Sequence, residues 1–429
     1  MKEIIIVDDL PVETLAMLQA LYSRSPRSVR EHLEQVKKVG PGKFMASFYV
    51  GYGHKSIGDC GTTSIFIENV SMLVAKAIQD WLLYKGQEAS TRYLDMTKQP
   101  IVNPLGTEQG KKVQDEWMSF YAYLLEQLIP ILKERFPREE GQDEKIWTKA
   151  VNARAFDIAR SFLPAGTATF LSWHTDIRQA NDHIKELRHH PLQEVREIAQ
   201  GMLAALREKY PNSFSHKEYP AEESYLEETA KEITYFDDPS IIRFDFRPKF
   251  DLQGLLKFEK LLASRPAKSE LHRLFRMYGD ITFIFPLDFG SFRDIQRQRS
   301  VIQQMPLLTT KYGFHHWYLE QLPENLRLEA ESFINRQKRK IAELDTTPEI
   351  AQYYTAMGFI VTCKLVATLP AAVYIAELRT SDAVHPTLRA IAQKMGEALK
   401  ASVPGIAIHH DMSSGSWNIN RGKQDIVQK

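Results

Sequence analysis

The first group of residues that could do chemistry is Glu88, Ser90, Arg92 and Tyr93, just after Gly86. The carboxylate and hydroxyl oxygens can accept hydrogen bonds from a base or a sugar, and the forked guanidinium suits a phosphate. The same run also fits a solvated loop in which Glu88 and Arg92 pair across one turn, worth ~0.2–0.5 kcal/mol. Spacing alone leaves both interpretations open.

The second group is the arginine-rich run from Arg293 to Arg299. Arg293 and Arg297 are spaced to share one helix face, with Gln296 beside them. Because two neighbouring guanidinium groups repel each other, a phosphate or diphosphate is a natural ligand between them. The alternative is an exposed basic face that Asp294 partly neutralises.

The third group is the glycine-rich run GYGHKSIGD, residues 51–59. Its glycines let the backbone approach a ligand closely, and His54 could hydrogen-bond or stack. The run does not match GxGxxG in register and it precedes a predicted strand, which excludes a Rossmann site. A structural turn capped by Ser56 is equally compatible with this run.

Two leucine–arginine pairs, Leu187-Arg188 and Leu378-Arg379, form the fourth group. Each arginine precedes a His-Pro step into a predicted helix. Its guanidinium could contact a ligand or bond to helix-terminal carbonyls. The sequence contains no HExxH, GxSxG or P-loop motif, so neither a metal centre nor an activated serine is predicted.

Composition predicts a soluble, cytoplasmic protein. The 55 basic and 54 acidic residues leave a formal net charge of +1, so any anion site is local, and neither nucleic acid nor a membrane is an expected partner. The two cysteines, Cys60 and Cys363, offer no disulfide framework, which suits a reducing compartment. The acidic N-terminus is unlike a signal peptide, and no apolar run reaches the ~20 residues that span a bilayer.

The elements that must position these groups are mostly helices. Apolar residues from Val70 to Leu82 recur with the spacing of a one-sided helix, and a second helix begins near Pro191. Runs of β-branched and aromatic residues predict strands at 48–50, 64–67 and 281–285. Few strands among many helices predict a helix-rich α+β protein.

An internal repeat divides the chain into two halves. The order LR, HP, R-x-I-A-Q begins at Leu187 and again at Leu378, and a predicted strand–helix pair precedes each set. A polar stretch rich in Glu, Ser and Pro separates the halves. The predicted organisation is a first module at 1–212, a linker at 213–240, a second module at 241–415 and a loose tail at 416–429.

The order of these groups resembles the flavin-dependent thymidylate synthase family. Residues 53–96 run from a histidine–serine turn through a strand and a helix to S-x-R-Y, as in that family, and residues 159–199 are similar to its second conserved segment. The C-terminal half resembles the same module again. The resemblance implies two tandem modules, each a small antiparallel sheet with flanking helices.

The two copies match complementary parts of the family motif. In the first copy, Glu88, Ser90, Arg92 and Tyr93 match its nucleotide-binding end, whereas the flavin-binding Arg-His-Arg falls on 80–82 and is absent. In the second copy, Arg297, Gln298 and Arg299 match that triplet with histidine changed to glutamine, whereas 303–308 lack S-x-R-Y. The predicted cofactor-binding residues are His54, Arg293, Arg297, Gln298 and Arg299.

The family resemblance implies FAD-dependent transfer of a one-carbon unit from methylenetetrahydrofolate to C5 of dUMP, with NADPH as reductant. Arg188 and Arg379 match the family arginine that contacts the pyrimidine, where a guanidinium would stabilise charge developing on the base. The split motifs predict one composite site, in which Arg297 and Arg299 hold flavin phosphates while Ser90 and Arg92 hold the nucleotide. A homodimer would then mimic the family's tetramer.

Three alternatives to thymidylate synthesis stay open from the sequence. One is a related pyrimidine modification, such as hydroxymethylation. Another is a non-catalytic paralogue that binds flavin or nucleotide, and the third is a helical scaffold without a ligand. Flavin absorbance of the purified protein would exclude the scaffold.

Overall fold

The computed structural model describes residues 3–235, 243–298 and 300–414 as helices interrupted by short strands. The strands are β1 (Thr62–Ser71), β2 (Lys85–Glu88), β3 (Ala168–Asp176), β4 (Asp245–Phe250), β5 (Gly279–Asp288), β6 (Val301–Gln304) and β7 (Ile360–Thr368). The α-helices are α1 (Val12–Tyr22), α2 (Val29–Val39), α3 (Gly42–Phe44), α4 (Lys55–Gly58), α5 (Met72–Gln79), α6 (Glu108–Arg135), α7 (Glu144–Ala159), α8 (Ile177–Leu187), α9 (Gln193–Lys209), α10 (Pro220–Ile233), α11 (Leu252–Leu256), α12 (Glu259–Ala263), α13 (Phe289–Ile295), α14 (His316–Glu320), α15 (Glu324–Ala342), α16 (Pro348–Ala351), α17 (Leu369–Arg379) and α18 (Pro386–Ser402).

In the part of the chain that the structure describes, four segments have other helical geometry. They are a π-helix at Met45–Gly51 and 3₁₀ turns at Arg160–Phe162, Arg273–Tyr278 and Gln352–Tyr354. In the described ranges, no helix is both long and apolar enough to cross a membrane. The predicted tail at 416–429 lies outside the described residues.

The strands form two small antiparallel sheets. The first has the order β1-β3-β2, and Gly86 of β2 lies opposite Trp173 of β3. The second has the order β4-β5-β7-β6, with Phe283 of β5 opposite Leu365 of β7. Helices outnumber strands. The predicted fold class, a helix-rich α+β protein with two small antiparallel sheets, is confirmed.

The same order of elements occurs twice along the chain. A strand, a short helix and a second strand (β1, α5, β2) are followed by longer helices, a 3₁₀ turn, β3, and the helix pair α8 and α9. The same series recurs as β5, α13, β6, the helices after it, a 3₁₀ turn, β7, α17 and α18. The strand order β1-β3-β2 likewise reappears as β5-β7-β6. This correspondence supports the internal repeat, and the module boundaries stay a prediction.

The described residues belong to two compact units, whose limits fall within strands β1 and β3. One unit comprises residues up to Glu68, Leu83–Glu88 and Phe170–Thr234; the other comprises Asn69–Leu82, Ala89–Thr169 and residues from Tyr235 onward. The first unit buries Met17, Leu18 and Val36 between α1 and α2. In the second unit, Trp117 packs edge-on against Phe333, with ring centroids 5.0 Å apart.

Within the second unit, equivalent segments of the two repeats pair with each other. Pro164 and Ala356 form an antiparallel bridge. The Ala165 amide donates to the Thr355 carbonyl at 2.9 Å, and the Met357 amide donates to the Leu163 carbonyl at 2.8 Å. Such an exchange of donor and acceptor roles is the signature of a two-fold, isologous contact. The chain therefore forms within itself a contact of the kind that two copies of one module would make.

One local prediction was wrong, and another had the wrong bounds. The predicted strand at 48–50 lies in the π-helix at Met45–Gly51. There Phe48 contacts the rings of Phe44 and Tyr52 at centroid distances of 4.9 and 5.8 Å, so aromatic contacts one helical turn apart prevail over β propensity. The helix predicted over Val70–Leu82 is present but shorter. It starts at Met72, where the Ser71 hydroxyl caps it by accepting from the Val74 amide at 3.2 Å, and it ends at Gln79.

Candidate functional site

The predicted site residues are divided between the two units. Glu88, His54 and Arg188 belong to the first unit, whereas Ser90, Arg92, Tyr93, Arg293, Arg297, Gln298 and Arg379 belong to the second. Arg299 lies outside the described residues. The second unit therefore contains residues from both halves of the split motif, as a composite site requires.

A cavity of about 460 Å³ in the second unit is lined by arginines. Arg297 and Arg379 were predicted from the sequence; Arg273 and Arg276 of the 3₁₀ turn before β5 join them. Glu270 is the acidic residue of the lining. Apolar and aromatic residues complete the wall: Leu271, Val301, Pro370, Ile375 and Tyr374. An excess of guanidinium groups beside an apolar wall suits an anionic ligand with a flat or apolar part.

Arg297 and Gln298 closely follow α13, and hydrogen bonds fix both ends of this helix. The Asp288 carboxylate caps the start of α13 by accepting from the Ser291 amide at 2.7 Å. The Gln303 side-chain amide donates to the carbonyls of Ile295 at 3.2 Å and Gln298 at 3.0 Å. These bonds connect the residues on either side of Arg297 to Gln303 of β6.

Arg379, the last residue of α17, is oriented by hydrogen bonds to two neighbouring residues. Its Nη2 donates to the Asp294 carbonyl at 2.7 Å. The Gln298 amide oxygen, in the orientation that satisfies both side chains, accepts from Nη2 at 2.9 Å and from Nε at 3.2 Å. Burial lowers the pKa of Arg379, but an arginine starts from a pKa above about 12 and keeps its charge at neutral pH.

The Asp294 carboxylate lies among several of these cations. Arg160 approaches it with both terminal nitrogens at 3.5 Å. Burial alone would raise the pKa of Asp294, but neighbouring guanidinium groups lower it to about 2. In order of decreasing effect, these belong to Arg160, Arg92, Arg297 and Arg379. Asp294 is thus the common counter-ion of arginines from both halves of the split motif.

The Arg92 guanidinium donates most of its hydrogen bonds to other groups of the chain. Its Nε and Nη2 donate to the two carboxylate oxygens of Asp157 at 2.7 and 3.1 Å, and Nη1 and Nη2 each donate to the Ala383 carbonyl at 3.2 Å. Four of the five N–H groups of a guanidinium are then engaged. The Ser90 hydroxyl accepts from the Arg92 amide at 3.3 Å and shapes the turn, while Tyr93 is 48% exposed.

The remaining predicted residues have other surroundings. Arg293 is buried, with Nη1 3.3 Å from the Met72 sulfur and 4.0 Å from the Met357 sulfur. His54 is exposed at the start of α4 and stacks on Tyr52. Glu88 lies in β2 opposite Leu171.

Arg188 of the first unit is paired with two carboxylates. Its Nη1 lies 2.5 Å from Glu218, and its Nη2 lies 2.9 Å from Glu223. Arg188 ends helix α8 as its C-cap residue, whereas its repeat counterpart Arg379 ends α17. The two arginines that the sequence could not distinguish therefore differ in their immediate partners.

Four residues of the site were missed from the sequence. Arg273 and Arg276 are spaced three apart just before the predicted strand at 281–285, as His54 and Ser56 precede the predicted strand at 64–67 in the first half. That equivalence was the one available signal for them. Asp157 and Arg160 lie at a helix end with the spacing of neighbours on one face, but nothing local marks them as partners of Arg92 and Asp294.

A network of buried hydrogen bonds lies next to Arg160 and Asp157. The Thr387 hydroxyl donates to the Asp288 carboxylate at 2.7 Å, and the Ser291 hydroxyl accepts from Arg160 Nη2 at 3.2 Å. His385 Nε2 lies 3.2 Å from the Asp157 carbonyl; since a carbonyl can only accept, Nε2 carries the proton. Burial, helped by the charge of Arg160, lowers the pKa of His385 to about 3. This network fixes the elements that carry Arg160 and Asp157.

We expect the neutral His385 to make folding stability sensitive to acid. Between its unfolded pKa of 6.5 and its folded pKa of about 3, the unfolded chain binds a proton that the folded chain does not. The free energy of unfolding is therefore unaffected by the titration of His385 above pH 6.5, and it falls by about 1.4 kcal/mol per pH unit below that value. Denaturant unfolding at pH 7 and pH 5 should show a shallower pH dependence for His385→Gln. Equal slopes for variant and native chain would contradict the assignment.

Comparison with known proteins agrees with the family resemblance of the first half. Residues 9–212 match the family model described as thymidylate synthase complementing protein. UPF0159 proteins of Chlamydia pneumoniae and Chlamydia muridarum are each 23% identical, over 400 and 405 residues, covering 80% and 81% of this chain and 75% and 76% of theirs. UPF0159 protein Ta1429 of Thermoplasma acidophilum is 22% identical over 456 residues, covering 89% of this chain and 91% of its own.

The family match and the relatives cover different parts of the chain. The family model ends before α10, whereas the relatives extend over both halves. The arginine cavity, with residues from Glu270 to Arg379, lies beyond the family match and rests on its own geometry. Residues 9–212, slightly under half of the chain, are thus similar to the thymidylate synthase complementing protein family.

Proposed function

We propose that this chain is a flavin-dependent enzyme of thymidylate synthase type whose working site is the arginine cavity of the second unit. The proposed reaction is FAD-dependent transfer of a one-carbon unit to C5 of a pyrimidine nucleotide. The leading case is dUMP to dTMP, with methylenetetrahydrofolate and NADPH as co-substrates and a homodimer as the working form. The observation that carries the proposal is the convergence of Arg297 and Arg379 with two further arginines on one cavity.

The lining of the cavity fits a flavin nucleotide. A diphosphate needs forked cationic donors, which Arg273, Arg276 and Arg297 would supply. A flat ring system needs an apolar or aromatic surface, which Leu271 and Tyr374 would supply. The volume of about 460 Å³ lies within the range of ~300–1,000 Å³ that is usual for cofactor and ligand pockets. A bound flavin would supply the hydride and mediate the one-carbon transfer.

Arg379 is the residue best placed to act on the base. Its bonds to Gln298 and to the Asp294 carbonyl use Nε and the two Nη2 hydrogens, which leaves the Nη1 pair for a ligand. A fixed guanidinium stabilises negative charge without reorganising as the charge develops. The role of Gln298 is to hold this orientation, so we assign it as a positioning residue.

Ser90 and Arg92 support the proposal indirectly. Both are in the second unit, and Arg92 lowers the pKa of Asp294 together with Arg297 and Arg379. Its bonds to Asp157 and Ala383, however, occupy most of its donors. This engagement favours the second candidate, a non-catalytic paralogue that binds flavin or nucleotide. A related modification such as hydroxymethylation would use the same residues as thymidylate synthesis.

Flavin binding is the first test of the proposed site. We expect the purified protein to absorb in the flavin bands or to take up added FAD, because the cavity presents several cations to a diphosphate. Arg297→Ala should weaken FAD binding at least about tenfold, since one charge-assisted hydrogen bond is worth ~1.5–3 kcal/mol. Arg339→Ala, on the exposed end of α15, should leave FAD binding unchanged. A colourless protein that takes up no FAD would exclude the flavin enzyme and a flavin-binding paralogue.

Turnover separates the enzyme from the non-catalytic paralogue. The enzyme should release tritium from C5-labelled dUMP and should oxidise reduced flavin only when dUMP and methylenetetrahydrofolate are present. A protein that binds FAD but releases no tritium under these conditions is the paralogue.

A further inference from the structure

Helix α10 contacts the first unit through several ion pairs. None of its residues is buried. Lys185 lies 2.5 Å from Glu222, and Arg188 lies 2.9 Å from Glu223, both in the first turn of α10. Glu218, just before the helix, lies 2.5 Å from Arg188. A helix in a folded domain normally docks through apolar side chains, so these ion pairs need a separate explanation.

One of these ion pairs, Arg188 with Glu223, lies in the wall of a cavity. A volume of about 430 Å³ is lined by Arg188, His189, Arg207 and Glu223, together with apolar atoms of Leu203 and Ala204. Two of its side chains are permanent cations, and His189 Nε2 lies 3.0 Å from the Glu223 carboxylate. The Arg188 side chain is only 16% exposed. The carboxylates of Glu218 and Glu223 therefore occupy the place that an anionic ligand would take against Arg188.

Among the described residues, no carboxylate forms an ion pair with Arg379, the equivalent arginine of the second unit. Arg379 is braced by a carbonyl and an amide, which leave its charge uncompensated by direct contact. Arg188 is contacted by two carboxylates instead. The two copies thus carry the same type of site, with the anion supplied by the chain itself in the first.

We propose that Glu218 and Glu223 are internal ligands of an anion-binding site on the first unit, whose cations are Arg188 and Arg207. Withdrawal of the segment that carries them, residues 218–223, opens this site to a phosphate-bearing molecule. The two carboxylates are partly exposed, Glu218 by 52% and Glu223 by 25%, so water can solvate them when the pairs open, and α10 buries no side chain that would hold it in place. The segment can therefore leave without unfolding the unit. The inference uses no flavin chemistry and does not depend on the proposed function.

The test is phosphate binding by a variant that lacks the internal ligands. Glu218→Gln with Glu223→Gln should bind one more inorganic phosphate per chain than the native protein in low-salt calorimetry, at least about tenfold more tightly than the native first unit. The matched control is Glu228→Gln with Glu232→Gln, which makes the same charge change at exposed positions of the same helix. The control should match the native protein. Equal gains in both variants would show a general charge effect and overturn the proposal.

Two further measurements fix the location of the site. Adding Arg188→Gln to the Glu218 and Glu223 variant should abolish the extra phosphate; its retention would overturn the proposal. Amide hydrogen exchange in 220–233 should be at least about tenfold faster in the Glu218 and Glu223 variant than in the control, and unchanged exchange would overturn the internal-ligand role. FAD titration of the same variants reports separately on the second unit, so the two ideas can fail independently.

Discussion

Arg379→Gln is expected to lower kcat/KM for dUMP by about 10²–10³-fold, the usual cost of removing one fixed donor from developing negative charge. The brace from Gln298 and the Asp294 carbonyl orients the native guanidinium, and glutamine cannot replace its charge. The loss should fall mainly on kcat, because the charge on the base develops in the transition state. Initial rates of tritium release from C5-labelled dUMP give both constants.

Two further variants show whether the effect belongs to the guanidinium of this repeat. Arg379→Lys restores the charge without the fork, so we expect it to recover only part of the lost rate. Arg188→Gln, at the counterpart that two glutamates already neutralise, should cost much less than Arg379→Gln. Arg339→Gln on α15 should match the native enzyme. Equal losses at Arg188 and Arg379 would contradict the assignment of the working site to the second unit.

The sequence could predict those site residues that belong to a motif of consecutive residues. Arg297 and Gln298 follow a short helix, and Arg379 ends another, so motif order and the repeat were enough to select them. Their meeting in one cavity follows because β5 and β7, which lead into α13 and α17, are paired in the same sheet. The repeat carried this information because it duplicates whole strand–helix units.

The part that could not be predicted depends on contacts distant in sequence. The pairing of Arg92 with Asp157 joins a turn to helix α7, and that of Arg160 with Asp294 joins the two halves. Neither pair leaves a local pattern, since any arginine and any aspartate are chemically compatible. The sequence therefore could not show that Arg92 bonds to groups of the chain itself, although the motif that contains Arg92 was recognised.

Helix α10 shows a different limit of predicting helices from hydrophobic periodicity. The segment 213–240 was predicted as a linker because its apolar residues lack periodicity, and α10 has no buried residue that would create one. Its helix is instead favoured by Pro220 in the first turn and by acidic residues near the N-terminus. Hydrophobic periodicity detects helices that dock through apolar faces, as α9 does through Val195 and Ala199. It cannot detect a helix that docks through ion pairs.

The largest expected effect on stability is at Arg160. Its side chain is 2% exposed, contacts the Asp294 carboxylate and donates to the Ser291 hydroxyl. Arg160→Met fills a similar volume but leaves that carboxylate and hydroxyl without their buried partner. Breaking a buried ion pair from one side costs about 3–5 kcal/mol. We expect Arg160→Met to lower the free energy of unfolding by that amount, measured by urea denaturation at pH 7.

The charge, and not the lost volume, should account for most of this cost. Arg160→Met combined with Asp294→Asn removes both charges, so we expect it to be more stable than Arg160→Met alone, a coupling that a double-mutant cycle measures. Lys111→Met, which breaks an exposed pair with Asp115, should leave the urea midpoint unchanged. If Arg160→Met unfolds within about 1 kcal/mol of the native chain, the other arginines around Asp294 suffice to hold the charge. Such a result would make Arg160 a packing residue, and the junction between the repeats would then depend on its backbone pairing at Pro164 and Ala356.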